Sequence, residues 1–301
     1  MVSPPESALP RALRDVHVRA GTPTNCGGIA LVVLDVEPPA AGAAQAPGWE
    51  FVSDLAPGEL PEEYVAELRE GVREAVEESS VAVRVRLRRA LDHPDSRESR
   101  FRQAGRLVVL EALKHAGGVP AWAAREVPPR RERPSFGGGY NGCCVSAAGD
   151  HWGFTTYWLA ELWRRRDPPV ARRPSRGYEL TLRVPRHPDD ARPPGWGFTL
   201  LNTLEFTGWN QHHTVGDGRW LDLGRPLARG RATELTGLAF VDDPLSPGTD
   251  GPHGRADFLL AVGVTAAEMA WMERDGVGAV LGELSAGDPL LITDLGRPSV
   301  I

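Results

Sequence analysis

Between Gly117 and Gly139 the chain has no means of continuing a helix or a strand. The stretch reads Gly117-Gly-Val-Pro-Ala-Trp122 and then Val127-Pro-Pro-Arg-Arg-Glu-Arg-Pro-Ser-Phe-Gly-Gly-Gly139. Each proline removes a backbone donor and fixes φ, and each glycine adds freedom that ordering must overcome. Clustered prolines and arginines favour extended, solvated backbone. The break divides 301 residues into two parts, each long enough for its own core. The expected organisation is a flexible N-terminus at 1–20, a first domain at 21–117, a linker at 118–139 and a second domain at 140–301.

In the first part, Gly27-Gly28 precede Ile29-Ala-Leu-Val-Val-Leu-Asp-Val36, an apolar run of strand length. Trp49-Glu-Phe-Val-Ser53 reads as a second strand. Pro61, Glu62 and Glu63 suit a helix start, and Tyr64, Val65, Leu68, Val72, Ala75 and Val76 then recur at helical spacing. The run Val81-Ala-Val-Arg-Val-Arg-Leu-Arg88 alternates. A pleated strand turns Val81, Val83, Val85 and Leu87 to one face and Arg84, Arg86 and Arg88 to the other. Asp95 and Glu98 stand as a capping pair before a helix whose apolar face is Phe101, Ala104, Gly105, Val108 and Ala112. Strand, strand, helix, strand, helix makes a compact α+β domain.

The second part opens with a strand at Gly142-Cys-Cys-Val-Ser146. Trp152, Phe154, Tyr157 and Trp163 are too large and too many for a loop, and are expected in the core or in the core and a binding face. Tyr178 to Val184 alternates as a strand. After Pro193-Pro194, a helix presents Phe198, Leu201, Leu204 and Glu205. Leu235–Val241 and Phe258–Val264 read as strands, with Asp242-Asp-Pro-Leu245 as a turn. Thr265-Ala-Ala-Glu268 is a capping box. A short helix, 277–284, and a strand, 290–293, follow. This mixture lacks a strict β-α repeat, so the chain as a whole is α+β, with a mixed α/β second domain.

Composition removes several classes. A net charge of -6 supplies no overall basic field for nucleic acid or anionic membrane. The sequence holds no apolar run of membrane-span length and no basic-then-apolar leader, so a cytoplasmic location is expected. Cys26, Cys143 and Cys144 are too few for a disulfide framework. Neighbouring cysteines make poor tetrahedral ligands, and His151, His212 and His213 have no partner at zinc spacing, so no metal is expected. Lys114 is the only lysine and has no phosphate loop around it. No nucleophile elbow or zinc-protease motif occurs. Neither a cofactor nor a small-molecule substrate is expected. An enzyme with an unrecognised site remains the alternative, with His151, Glu161, Asp242, Asp243, Thr293 and Asp294 as its polar groups.

Six blocks of the second part occur in one order. They are His151-Trp152…Tyr157…Leu159-x-Glu161-Leu162; Gly177-Tyr-Glu-Leu-Thr181; Pro193-Pro-x-Trp196; Asp243-Pro244; Phe258-Leu…Val262-Gly-Val-Thr265-x-x-Glu268; and Leu291-Ile-Thr-Asp294-Leu-x-Arg297. In these words the chain resembles the suppressor of fused domain. The resemblance implies a non-catalytic protein-binding module. In animal members a partner peptide is clamped as an added strand, and bacterial members stand beside toxins as suspected immunity proteins. Here the family's acidic continuation is replaced by Leu162-Trp163-Arg164-Arg165-Arg166-Asp167. That reversal favours an acidic partner, so the expected partner is another protein, a toxin as the resemblance implies or an acidic peptide segment. The expected binding residues are Trp152, Phe154, Tyr157, Glu161, Arg164, Arg165 and Arg166.

The first part is similar to domain IV of the elongation factor G family, through Phe51-Val-Ser53, Leu60-Pro-Glu-Glu-Tyr-Val65, Leu68-Arg-Glu-Gly-Val-Arg-Glu-Ala-Val76 and the strand from Val83 leading to Phe101-Arg-Gln-Ala104. This similarity implies a two-layer domain of the ribosomal-protein-S5-domain-2 type. It places His93 near the family's ribosome-probing tip. The family's glycine-rich turn is replaced by Gly21-Thr-Pro-Thr-Asn-Cys-Gly-Gly28. The second expectation is therefore a ribosome- or RNA-associated protein without a GTPase domain, with contacts at His93, Arg84, Arg86 and Arg88.

Overall fold

Val81, Val83, Val85 and Leu87, each 1% exposed or less, are the row on which the first layer of packing is built. They belong to β5 (Val81–Leu91). The structure is a computed structural model that describes residues 7–9, 11–21, 28–38, 49–79, 81–115, 142–157, 177–210, 215–246, 248–251 and 254–301. Contacts divide it into two compact units. The first comprises Met1–Ser146, Thr156–Gly177 and Gly248–Ala256; the second comprises Ala147–Thr155, Tyr178–Pro247 and Asp257–Ile301.

In the first unit, β3 (Ile29–Glu37) pairs antiparallel with β5, and β2 (Leu13–Gly21) pairs antiparallel with β3. β6 (Gly142–Ala148) pairs with the far side of β2, from His17↔Val145 to Ala20↔Gly142. β1 (Ser7–Ala8) and β4 (Trp49–Ser53) run parallel to β5 on its other edge. Two helices cover one face: α1 (Glu62–Ser79) and α2 (Glu98–His115), with α2 against β2, β3 and β5.

The helices approach backbone to backbone. A Cβ added to Gly105 would fall on the carbonyl oxygen of Leu68, and one added to Gly71 on that of Arg102. Tyr64 stacks on Phe101 at 4.6 Å between ring centroids. Arg102 pairs with Glu67 at 2.6 Å and Arg106 with Glu78 at 2.6 Å along the rims of this contact.

Leu13–Gly21 overturns the expectation of a flexible N-terminus over 1–20. The strand is hard to see because its alternation breaks between Leu13 and Val16, where Asp15 takes φ 48°. Buried Asp35 stabilises the irregularity by accepting the Asp15 N–H at 2.9 Å and the Arg14 guanidinium at 3.0 Å. Beyond the bulge, Val16, Val18 and Ala20 resume the period of two and are buried.

In the second unit, β8 (Gly177–Pro185) lies between β7 (His151–Thr156) and β12 (Gly254–Thr265). β10 (Leu235–Asp242) follows β12 antiparallel, and β9 (Arg219–Asp222) follows β10. β11 (Thr249–Gly251) pairs with the start of β12 within Gly248–Ala256, a segment counted with the first unit. The helices are α3 (Gly195–Asn210), α4 (Ala266–Asp275) and α5 (Val277–Gly287). Thr265 and Glu268 form the expected capping box at α4. Leu260, Val262 and Val264 of β12 pack with Met269, Met272, Val280 and Leu281 of α4 and α5.

The expected strand at Leu290–Thr293 does not form. Asp288 takes its amides instead: the carboxylate accepts Leu290 N–H at 3.0 Å and Ile292 N–H at 2.6 Å, and the carbonyl accepts Leu291 N–H at 3.0 Å. Leu291 adopts φ 52° under this constraint. The expected linker at 118–139 lies outside the described residues.

The glycine contact generates a test. Alanine is normally worth about 1 kcal/mol over glycine in a helix. At Gly105 the added methyl must push two backbones apart, so Gly105→Ala is expected to lower stability by about 2 kcal/mol. Urea unfolding measures it, and an unchanged or higher midpoint would show that the helices are not in this contact.

Candidate partner-binding site

Trp152 and Phe154 occupy alternate positions of β7 and are 1% and 0% exposed. Their register is Trp152↔Val184 and Phe154↔Leu182 on β8. Phe154 meets Phe198 edge-on at 5.1 Å, and a Cβ at Gly197 would come within 2.6 Å of its ring. The Arg186 guanidinium lies 4.9 Å from the Trp152 ring centroid. The two rings are therefore core, and Phe154 anchors the first turn of α3 from beneath. Glu161, Arg164, Arg165 and Arg166 lie outside the described residues.

Tyr157, in the first unit, is also buried and donates its hydroxyl to Glu111 of α2. Glu111 is fully buried, with Lys114 Nζ at 3.3 Å, His115 Nε2 at 3.2 Å and Ser146 Oγ at 3.5 Å. Burial pushes this carboxyl up. The Lys114 charge, with His115 and the Tyr157 hydroxyl, more than reverses that and brings it to about 2. Cys144 donates to the Leu107 carbonyl at 3.4 Å, and burial raises its thiol. This is a packed polar centre, not a reactive cysteine.

The arginine row of β5 is neutralised along its length. Arg84 lies 3.2 Å from Glu50, Arg86 lies 2.8 Å from Asp54, and Arg88 lies 3.2 Å from Asp35 and 3.4 Å from Asp54. His93 sits in a turn where its Nδ1 accepts the Asp95 N–H at 3.0 Å and its own N–H donates to Ser96 Oγ at 3.1 Å. In the neutral ring the proton is then on Nε2. The structure does not bring His93 into contact with the three arginines through any of these bonds.

The second unit contains a buried polar frame. Glu179, Thr181 and Arg183 share one face of β8 and are all buried, as are Leu180, Leu182 and Val184 on the other. Arg183 donates to Asp243 and to the Leu290 carbonyl at 3.1 Å, and Thr181 donates to Asp243 at 2.6 Å. Asp243 also accepts the Leu245 N–H at 2.9 Å. Thr293 donates its N–H to the Arg183 carbonyl at 2.8 Å, while its hydroxyl accepts the Gly263 N–H at 3.0 Å. Arg297 grips Glu268 through two bonds of 2.6 Å and donates to the Gly263 carbonyl at 2.7 Å. Glu268 accepts Thr265 N–H at 2.9 Å and Val300 N–H at 3.0 Å. Burial raises its carboxyl, but Arg297 and these amides leave it lowered.

Sequence reasoning placed Asp243 and Thr293 among the polar candidates and missed Arg183. The available signal was an arginine continuing the Glu179, Thr181 face of a strand whose other face is apolar. His151 is buried with Nδ1 3.0 Å from Asp150, and Asp294 caps the Gly296 N–H at 2.8 Å. Among the described residues, no group of three His, Cys, Asp or Glu side chains is placed to hold a metal, and no helix is long and apolar enough to cross a membrane.

These polar groups form an internal frame that ties strands, turn and tail of an α+β fold together. The suppressor of fused protein (SUFU) family matches residues 140–298, more than half of the chain, and the chain belongs to that family. Suppressor of fused homolog from Homo sapiens is 27% identical over 160 residues, which are 50% of this chain and 33% of that protein. Elongation factor G 2 from Streptomyces coelicolor is 34% identical over 114 residues, 35% of this chain and 17% of that protein. The chain thus spans only those shares, 33% and 17%, of the relatives' lengths. Among solved structures, the Sufu-Fu complex aligns over 50% of this chain and 70% of that one, at 23% identity and a TM-score of 0.45.

Two outcomes follow. Asp243→Ala leaves the Arg183 guanidinium buried without its counter-charge, and the expected loss is about 3–5 kcal/mol. Calorimetry or denaturant unfolding reads it; a loss below about 1 kcal/mol, the level of an exposed pair, would mean that water reaches the site. Glu111 has a folded value below the ordinary 4.5, so its stabilisation is complete above that pH and is lost as pH falls towards 2. Its share is on the order of 3 kcal/mol. Unfolding curves at stepped pH should show a shallower acid limb for Glu111→Gln than for the parent; parallel limbs would remove Glu111 from this role.

Proposed function

We propose that the chain is a non-catalytic member of the suppressor of fused family that acts by binding another protein, as an immunity or inhibitor protein set against a bacterial toxin. The observation that carries this reading is the family match over residues 140–298. The geometry supports it. Asp243, Thr293 and Glu268 are committed to Arg183, Gly263 and Arg297, which leaves them poorly suited to acid–base chemistry. The proposed organisation is a first domain that includes Leu13–Gly21 and runs to 117, and a binding domain at 140–301, acting in the cytoplasm. In this reading Glu161 and Arg164 to Arg166 contact the partner. Trp152, Phe154 and Tyr157 are buried and take no direct part.

A second reading rests on the 34% identity to elongation factor G 2. It makes the chain a ribosome- or RNA-associated factor that works through His93, Arg84, Arg86 and Arg88. The acidic partners of these arginines weigh against it, because phosphate must first displace them.

Affinity capture from native lysate with the full chain separates the two. The expected result is one stoichiometric protein that is lost on Arg165→Glu. Capture of ribosomal particles instead, falling steeply between low and moderate salt, would replace the first reading with the second.

A further inference from the structure

The second unit carries a groove that none of the foregoing uses. It has a volume of about 290 Å³ and lies between the start of α3 and the loop from Arg225 to Arg231. Half-buried Trp196 supplies its accessible apolar surface, over buried Leu200 and Leu227, and Arg225, Arg229 and Arg231 line it. None of the lining residues is acidic, although the chain as a whole carries -6.

These arginines differ from the paired ones described above. Arg183, Arg297 and the β5 row each face a carboxylate. Arg229 and Arg231 are exposed and make no ion pair among the described residues, and Arg225 donates only to the neighbouring Pro226 carbonyl, at 3.4 Å. Thr199 and Thr203 also line the groove, but each donates its hydroxyl proton to a helix carbonyl four residues back, Gly195 at 3.2 Å and Thr199 at 2.8 Å. The free donors are therefore guanidinium N–H groups, which match ligands that only accept, carboxylates above all.

The loop is held before any ligand arrives. Leu223 N–H donates to Thr236 O at 3.0 Å, Leu227 N–H to Leu235 O at 3.0 Å and Arg231 N–H to Ala228 O at 3.2 Å. Asp222 accepts the Gly224 N–H at 2.7 Å, and Gly230 makes the turn at φ 76°. Buried Leu227 fixes the middle of the loop to the core. An ordered backbone beneath the cationic rim lowers the ordering cost of binding to that of the side chains.

We propose that this groove docks an acidic peptide segment of a protein partner, with one apolar side chain laid against Trp196 and flanking carboxylates on Arg225, Arg229 and Arg231. A peptide fits better than RNA because the threonine hydroxyl protons, which would otherwise read base edges, are already committed. This inference deepens the protein-binding reading and rests on it, but at a place remote in sequence from Arg164 to Arg166.

The test uses the full chain and a short fluorescein-labelled peptide alternating glutamate and leucine, read by fluorescence anisotropy. A glutamate-only peptide, a lysine–leucine peptide and oligouridine are the controls. The expected result is saturable binding of the glutamate–leucine peptide over all three. Double charge reversal, Arg229→Glu with Arg231→Glu, should weaken it about ten-fold or more with the far-ultraviolet spectrum unchanged, because both side chains are exposed. Trp196→Ala should weaken the glutamate–leucine peptide and leave the glutamate-only peptide unaffected. No binding, binding indifferent to the charge reversal, or oligouridine bound as tightly would each overturn the proposal. The two readings fail separately: a captured partner that neither the peptide nor the reversal displaces sinks this groove and leaves protein binding intact. Peptide binding without any captured partner does the opposite.

Discussion

Arg183 and Asp243 have side chains only 5% and 2% exposed, and a charge pair so far from water is costly unless every lone pair and N–H is used. Here Asp243 takes Arg183, Thr181 and the Leu245 amide, and Arg183 also takes the Leu290 carbonyl. The pair thus joins three segments far apart in sequence: β8, the turn after β10 and the irregular tail. An apolar replacement would preserve burial, but it would not select which backbone carbonyl or amide stands opposite β8. Arg297 and Glu268 repeat the arrangement between the tail and the N-terminus of α4. The polar words that run through the SUFU-matched region are, in this chain, instructions for register.

That explains what could be read from the sequence and what could not. β5 and α1 were legible because their periods of two and of 3.6 persist over many residues with charge on the opposite face. The capping box Thr265/Glu268 was legible because it is local. β2 was not, since one residue at positive φ destroys the alternation where it begins. The tail was read as a strand from four apolar-to-polar letters, but the outcome was decided by Asp288, just before them, whose carboxylate captures two of the amides. Arg183 was missed for a related reason: its partner lies 60 residues away. Local pattern finds elements, while these long-range polar contacts decide how they terminate and join.

The first unit shows a similar economy with a different consequence. Gly71 and Gly105 let α1 and α2 touch through backbone, and acidic and basic side chains close the rims. On the sheet, Arg84, Arg86 and Arg88 are matched to Glu50, Asp54 and Asp35. A face of this kind has little field beyond a Debye length, whatever its arginine count. Similarity to part of a translation factor therefore extends to the scaffold more readily than to a phosphate-binding surface.

Arginine abundance is thus a poor guide to function in this chain, and arginine pairing a better one. An arginine opposite a buried carboxylate has its donors and its charge already spent on the fold, and reaching a ligand means breaking a contact that stabilises the protein. An arginine on an ordered loop with no counter-charge, as at Arg229 and Arg231, gives up hydration and side-chain freedom when a carboxylate arrives, but breaks no contact of the fold. The aromatic residues divide by the same criterion. Trp152 and Phe154 are buried, Phe154 beneath the first turn of α3, so a partner cannot reach them without disrupting the core, whereas Trp196, partly exposed beside the unpaired arginines, is available at no such cost. Binding surfaces in a protein of this composition are to be sought where charge and apolar area are both left unsatisfied, and in the second unit those conditions meet in the groove beside α3.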